Sequence, residues 1–173
     1  QAQGIEMDGA AVGAARAVGL DVEQGGYERL FETPERFDVV ICSHVIEHVF
    51  DPVDMVRAMH SALKPGGVLL LATPNALSDV HLHFGKHWRG LEAPRHLVLF
   101  AEATLTRLLA AQGFSVASCS DQQMETARES ARIARGDTRT KSVDRQLARR
   151  LAQSLPRTAT GHDFIKLMAR RDT

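Results

Sequence analysis

Phe37-Asp38-Val39-Val40-Ile41-Cys42-Ser43 is the stretch that decides the fold. Its apolar, largely β-branched residues follow one another almost without alternation. A strand with one wet face alternates polar and apolar residues, whereas a strand buried on both faces of a parallel sheet reads as a continuous apolar run. The run therefore predicts an internal strand of an α/β sheet. It ends on Ser43-His44, two polar residues at a carboxyl end.

Downstream, Asp51-Pro52 starts a helix: an Asp side chain accepts from otherwise unpaired first-turn amides, and Pro suits the first helical position. That helix carries Val56, Met59 and Leu63 on one face. Lys64-Pro65-Gly66-Gly67 stops it, and Val68 to Ala72 predicts a second buried strand ending at Thr73-Pro74-Asn75. Upstream, Gly4-Ile5-Glu6-Met7-Asp8 reads as a strand end turning into a helix. Asp8 caps that helix over Gly9 to Val18, Gly19 stops it, and Leu20 to Gln24 gives a short strand before Gly25-Gly26. The chain opens on Gln1 with almost nothing ahead of the first strand, so the N-terminus reads as cut inside a fold.

Ala76 to Phe100 is rich in His, Gly, Trp and Arg and has no clear period, the mark of a functional loop or lid. A helix over Ala101 to Gln112 follows, with Leu105, Leu108 and Leu109 apolar, then a strand over Phe114 to Ser118. Residues 121 to 155 read as two polar helices broken near Gly136-Asp137, the second carrying Leu147, Leu151 and Leu155. Asp163 to Ala169 predicts a last strand, closing the sheet beside Phe114.

Strand-then-helix repetition calls for a doubly wound, mostly parallel α/β sheet with right-handed crossovers. The expected organisation is one domain over 1–173, with a core over 1–119, a helical insert over 120–160 and a final strand and tail over 161–173. Ligands of such sheets bind at the carboxyl ends of the strands. That rule groups Glu6, Gly25-Gly26, Ser43-His44 and Thr73–Asn75 around one crevice.

Composition narrows the classes. The 173 residues are 44% hydrophobic and 24% charged, with 21 Lys/Arg balancing 21 Asp/Glu. Bulk charge thus gives no case for nucleic acid as a partner. Locally the balance is uneven: residues 120 to 157 carry 9 basic against 5 acidic side chains, with Arg128, Arg132, Arg135 and Arg139 at roughly helical spacing. That basic stretch reads first as a solvated helical face, with a cover over the active site or a meeting with an acidic substrate or membrane surface as the alternative. Cys42 and Cys119 lie far apart with no CxxC spacing, so neither a disulfide framework nor a structural zinc site is expected, and a cytoplasmic setting fits. No apolar run approaches the roughly 18 residues that span a bilayer, so no stable membrane insertion is expected.

Five pieces in order and spacing, Phe37 to Val40, Glu47-His48-Val49, Asp51-Pro52, Leu63 to Gly67 and Thr73-Pro74-Asn75, closely resemble class I S-adenosylmethionine-dependent methyltransferases. The resemblance covers residues 4 to 119 and is greatest toward the small-molecule branch near the ubiquinone-biosynthesis O-methyltransferases. It implies a Rossmann-like sheet that here lacks its first strand and glycine loop. It further implies S-adenosyl-L-methionine as cofactor and a small-molecule methyl acceptor such as a sugar, quinone precursor or secondary metabolite. Oligomeric state is left open.

Carried over residue by residue, the resemblance puts Glu6 on the ribose hydroxyls, a task for a carboxylate that accepts from both at once. Met7 would lie beside the adenine. The family's usual Asp after the third strand is absent, and Gly25-Gly26-Tyr27 stands there, leaving backbone at Gly26 or the Tyr27 ring as adenine contacts. Ser43, His44 and Val45 fall where the family holds the methionine moiety. His48 is expected to pack or brace a loop.

Methyl transfer to oxygen often needs a base near the acceptor. Among His81, His83, His87 and His96, the first choice is His96, which precedes the Ala101 helix as a family histidine does. His44 is the second candidate. Trp88, Arg89 and Arg95 could wall a ring or an anion, or Trp88 could anchor the loop. His44-Val45-Ile46-Glu47-His48 also matches HxxEH, but both histidines would need one continuous helix, so no metal is expected. The rival from another class is a methyltransferase-like module that binds without catalysing, the alternative that a genuinely absent front end would favour.

Overall fold

The computed structural model describes residues 2–118, 126–136 and 161–173. Cys119, Arg139 and the helix expected around Leu147, Leu151 and Leu155 lie outside the described residues. Among the described residues the elements follow in the order β1 (Gly4–Glu6), α1 (Gly9–Ala17), β2 (Val22–Gln24), β3 (Phe37–Ser43), α2 (Pro52–Ala62), β4 (Leu63–Pro74), α3 (Asp79–Phe84), α4 (Glu102–Ala111), β5 (Phe114–Ser118), α5 (Ala127–Ala134) and β6 (Phe164–Arg171). Short 3-10 turns lie at Tyr27–Glu32, Ile46–His48, Gly85–His87 and Arg89–Leu91.

The helix starts follow the capping chemistry. Asp8 accepts from the Ala10 amide at 2.8 Å, and Asp51 accepts from the Asp54 amide at 2.9 Å with Pro52 in the first turn. Each cap satisfies an amide with no partner inside its helix and is worth about 1 kcal/mol.

The strands form two sheets. β1 and β2 pair in parallel, while the larger sheet runs β3-β4-β6-β5. β3 and β4 are parallel, and β6 is antiparallel to both β4 and β5. Hence β5 runs with β3 and β4, and β6 alone is reversed. The sheet is the mixed, mostly parallel one of a Rossmann-like methyltransferase, and the last strand takes its expected place beside Phe114. Reversal has a functional consequence: β6 starts where β4 ends, because Phe164 pairs with Pro74.

The core lies on one face of this sheet. Leu69, Leu71, Ile165 and Leu167 pack there with Met55, Val56 and Met59 of α2 and Leu105 and Leu109 of α4. Fully burying such a side chain stabilises by about 1.5–3 kcal/mol. A second cluster joins Val80 and Trp88 to Ala127 and so ties the Ala76–Phe100 segment to α5.

The double burial expected for β3 does not hold. Cys42 is buried, but Val39 and Ile41 remain 49% and 72% exposed. Ile41 pairs with Leu70, and Leu70 with Met168, so these apolar residues form one stripe across the sheet, all of it exposed. The physical reason is position: among the described residues β3 is the outer strand of its sheet, and α2 and α4 cover the opposite face.

Candidate active site

The carboxyl end of β3 turns sharply. His44 sits at φ 55°, a left-handed conformation that costs a non-glycine residue on the order of 1 kcal/mol. Its amide donates to the Ala72 carbonyl of β4 at 2.9 Å, which ties the turn to the neighbouring strand. The turn swings the ring back over the 3-10 turn at Ile46–His48, where Nδ1 lies 3.3 Å from Oε1 of Glu47. The ring also meets Phe164, the first residue of β6, edge-on at 4.8 Å. The His44 side chain is 45% exposed, whereas that of Glu47 is 0% exposed.

A fully buried carboxylate needs partners. Oε2 of Glu47 accepts from the Thr73 hydroxyl of β4 at 3.0 Å, while Oε1 faces Nδ1 of His44 at 3.3 Å outside hydrogen-bond geometry. Burial pushes the carboxyl up, but His44, its own backbone and Thr73 outweigh it and hold it below its ordinary value. Its Oε1 faces His44. Its backbone carbonyl accepts from Leu97 and Val98, at 2.8 and 3.2 Å, which locks the loop before α4 against the same turn.

His96, the first choice as base, is closed in, its side chain 5% exposed. Its Nδ1 lies 2.7 Å from the Gly90 carbonyl, and its Nε2 lies 3.5 Å from Glu92. His48 reaches the Arg95 carbonyl through Nδ1 at 2.9 Å and packs edge-on against His96 at 4.8 Å. The ligand-type atoms of Glu47, His48 and His96 all lie within 4.8 Å of one another. Oε2 of Glu47 accepts from Thr73, and Asp51 caps a new helix after the three-residue turn, so the segment is not the continuous helix that HxxEH chemistry needs.

Glu6 ends β1 and is exposed. One carboxylate oxygen accepts from the Asp8 amide at 2.8 Å, which orients the group at the head of α1. Met7 beside it is 75% exposed. Gly25 returns to the same turn, its amide donating to the Glu6 carbonyl at 3.0 Å. Gly26 precedes the 3-10 turn at Tyr27–Glu32. The Tyr27 hydroxyl donates to Asp54 of α2 at 3.3 Å, and burial, then Asp54, raises its pKa. The structure thus brings Ser43, His44 and Val45 together with Glu47, Thr73 and Phe164, while Glu6, Met7 and Gly26 cluster on the smaller sheet.

Sequence reasoning passed over Glu47 as a site residue and did not reach Phe164. The signal for Glu47 was present: an acid between Ile46 and His48, three residues past a polar strand end. Trp88 is an anchor, 2% exposed, with its indole N–H donating to Thr126 at 3.1 Å. Arg89 and Arg95 both pair with Glu92. Trp88 therefore anchors the loop, while the side chains of Arg89 and Arg95 stay 41% and 70% exposed. On α5, Arg132 pairs with Glu129 and Arg135 is exposed.

With this geometry in hand, comparison with known proteins assigns the class. The methyltransferase-domain family matches residues 3–118, and the chain belongs to that family, the class I S-adenosylmethionine-dependent methyltransferases. Ubiquinone biosynthesis O-methyltransferase of Pseudomonas aeruginosa (strain LESB58) is 40% identical over 86 residues, which is 46% of this chain and 37% of that protein. The protein of the same name from Ruegeria pomeroyi is 45% identical over 56 residues, 32% of this chain and 23% of that one. The matched part is therefore well under half of either relative's length.

Among solved structures, a SAM-dependent methyltransferase from Thermotoga maritima superposes with a TM-score of 0.65 at 17% identity, over 98% of this chain and 72% of that one. A SAM-dependent methyltransferase from Archaeoglobus fulgidus gives 0.64 at 18% identity, over 98% and 75%. At such identities the likeness speaks for the fold.

S-adenosylmethionine is the cofactor of this family, and the acceptor at the end of β1 is compatible with it. An exposed carboxylate held from behind by the Asp8 amide retains acceptor capacity for a ribose diol. Among the described residues, no helix is long and apolar enough to cross a membrane.

Proposed function

We propose that the protein transfers a methyl group from S-adenosylmethionine to a hydroxyl of a small molecule, with Glu6 holding the ribose and His44 serving the acceptor oxygen. The observation that carries this reading is the half-exposed His44 ring at the carboxyl end of β3, backed by the buried Glu47 carboxylate. When bound, the cofactor supplies a methyl group whose bonding pair stays on sulfur while the acceptor oxygen forms the new bond. The chain contributes alignment and a place for the hydroxyl proton.

Met7 offers exposed apolar surface for the adenine next to Glu6. Ser43, His44 and Val45 line the β3 end, where the methionine part belongs. The likeness to ubiquinone-biosynthesis O-methyltransferases makes a phenolic quinone precursor the first acceptor to try, ahead of sugars and other hydroxylated metabolites, with amines after them. His96 is assigned to bracing, because its ring is enclosed and bound to backbone. Gly26 and Tyr27 are assigned to the adenine side through backbone and ring edge, the Tyr27 hydroxyl being committed to Asp54.

The test is transfer of radiolabelled methyl from S-adenosylmethionine to a panel of phenols, sugars and amines, using the full-length protein. Labelling of a phenol that is lost in His44→Gln supports the reading. Cofactor binding without transfer to any acceptor would favour the non-catalytic module, and labelling of amines alone would refute the oxygen acceptor.

A further inference from the structure

Two arginines of the Ala76–Phe100 segment share one carboxylate. Oε2 of Glu92 lies 2.8 Å from Nη1 of Arg89, and Oε1 accepts from Nη2 of Arg89 at 3.1 Å and from Nη1 of Arg95 at 2.7 Å. Arg89 above all, with Arg95 and His96 adding, holds the Glu92 carboxyl below its ordinary value against the opposing effect of burial. One carboxylate charge therefore meets two guanidinium charges. Glu129 of α5, the other acid that acts on Arg89, is paired with Arg132. Among the described residues, one positive charge is left over where both arginine side chains reach solvent. Like charges gathered this closely repel, and an arriving anion relieves that repulsion.

The backbone beneath both side chains is anchored. The Arg89 amide donates to the Ser130 hydroxyl of α5 at 3.0 Å, beside the buried Trp88. The Arg95 carbonyl lies 2.9 Å from Nδ1 of His48, and the Leu97 and Val98 amides donate to the Glu47 carbonyl. Arg95 thus stands beside the stretch locked onto the turn after β3, the same turn that begins at His44. Glu92 sits at φ 36°, a left-handed strain of the kind retained where it places a functional group.

We propose that Arg89 and Arg95 form a subsite for an anionic group, a carboxylate or phosphate, carried by the methyl acceptor. This deepens the reading of the protein as a small-molecule O-methyltransferase and rests on it. A guanidinium presents five N–H donors in a planar fork that matches the oxygens of a carboxylate or phosphate. Glu92 takes part of each fork and holds the two together, so donors remain for a ligand. Because the forks are held before binding, little ordering entropy is lost when the anion arrives. The acceptor class is then a hydroxylated acid, such as a hydroxybenzoate or a phosphorylated phenol, in preference to a neutral phenol or a sugar.

The experiment is calorimetric titration of phenol, 4-hydroxybenzoate and 4-hydroxyphenyl phosphate into the full-length protein with S-adenosylhomocysteine present. Binding is read without turnover, so failure of methyl transfer and failure of the subsite are distinguished. At least one anion should bind about 5- to 10-fold more tightly than phenol, as for charged hydrogen bonds at a partly exposed site. The tighter of the two anions identifies the group. The advantage should shrink as salt is raised, because exposed charges are screened. Arg95→Gln should erase it while leaving the affinity for phenol and the urea midpoint where they were. Arg95→Lys keeps the charge but not the fork, so it should retain only part of the preference.

A pairing of Arg95 with Glu92 that served structure alone would move the affinities for all three probes together. That result, equal binding of the anions and phenol, binding of none of the three, or an anion preference that survives Arg95→Gln would each overturn the inference.

Discussion

The two sheets hold their functional carboxylates by opposite means. Glu47, on the turn after β3, is enclosed by the four-stranded sheet and held by Thr73 and His44. Glu6, on the two-stranded sheet, is exposed and held by one amide two residues away. The larger sheet carries the main apolar cluster, whereas α1, which packs with β1 and β2, buries only Val12. One half of the crevice is thus built by packing and the other by local hydrogen bonds. Groups that must keep an angle through a reaction belong on the first, and a group that only receives a ligand can sit on the second.

That contrast can be broken by measurement. Leu71→Ala, in the covered face, should destabilise the protein by about 2–5 kcal/mol in urea melts. Val12→Ala should cost about 1–2 kcal/mol, two methyl groups at roughly 0.8 each. Equal losses would mean that the β1–α1–β2 unit is as firmly packed as the large sheet. Hydrogen exchange should show the same order, with amides of β1 and β2 opening at lower free energy than those of β4 and β6.

Acidification gives a smaller effect. The Glu47 carboxyl lies below its ordinary value in the folded protein, so the unfolded chain takes up that proton more readily. The stabilisation is complete above the ordinary carboxylate range and is lost as pH falls through the folded value. Urea midpoints should therefore drop on that side, and Glu47→Gln should lose less over the same interval. The smallest effect belongs to the open face: Ile41→Thr, at a side chain 72% exposed, should stay within about 0.5 kcal/mol. A cost comparable to that of Leu71→Ala would show that something covers Ile41 in solution.

The fold was legible because its signals are local and repeated. Asp51-Pro52, Gly113 and the apolar run at Phe37 each act through their own backbone or neighbours, and the α/β alternation follows from them. The burial of β3 was misjudged because an apolar run reports what a strand can tolerate on two faces. What covers each face depends on the strand's place in the sheet. The position of Ser43 and His44 at the carboxyl end of β3 was legible from the apolar run before them. Phe164 was not, because its approach to His44 depends on β6 running backwards, which no pattern in residues 163–169 states. The setting of His96 was not legible, because sequence gives proximity to a helix start and not the Gly90 carbonyl and Glu92 carboxylate beside its ring.

Calorimetric titration of S-adenosylhomocysteine into the full-length protein and its Glu6→Ala variant tests the central claim most directly. One site is expected, with affinity in Glu6→Ala weaker by about 10- to 100-fold, the worth of hydrogen bonds to a charged group at roughly 1.5–3 kcal/mol. Unfolding by urea should be unaffected in that variant, because the side chain is exposed and supports no core contact. Absence of binding by the wild type, or equal binding by Glu6→Ala, would contradict the account.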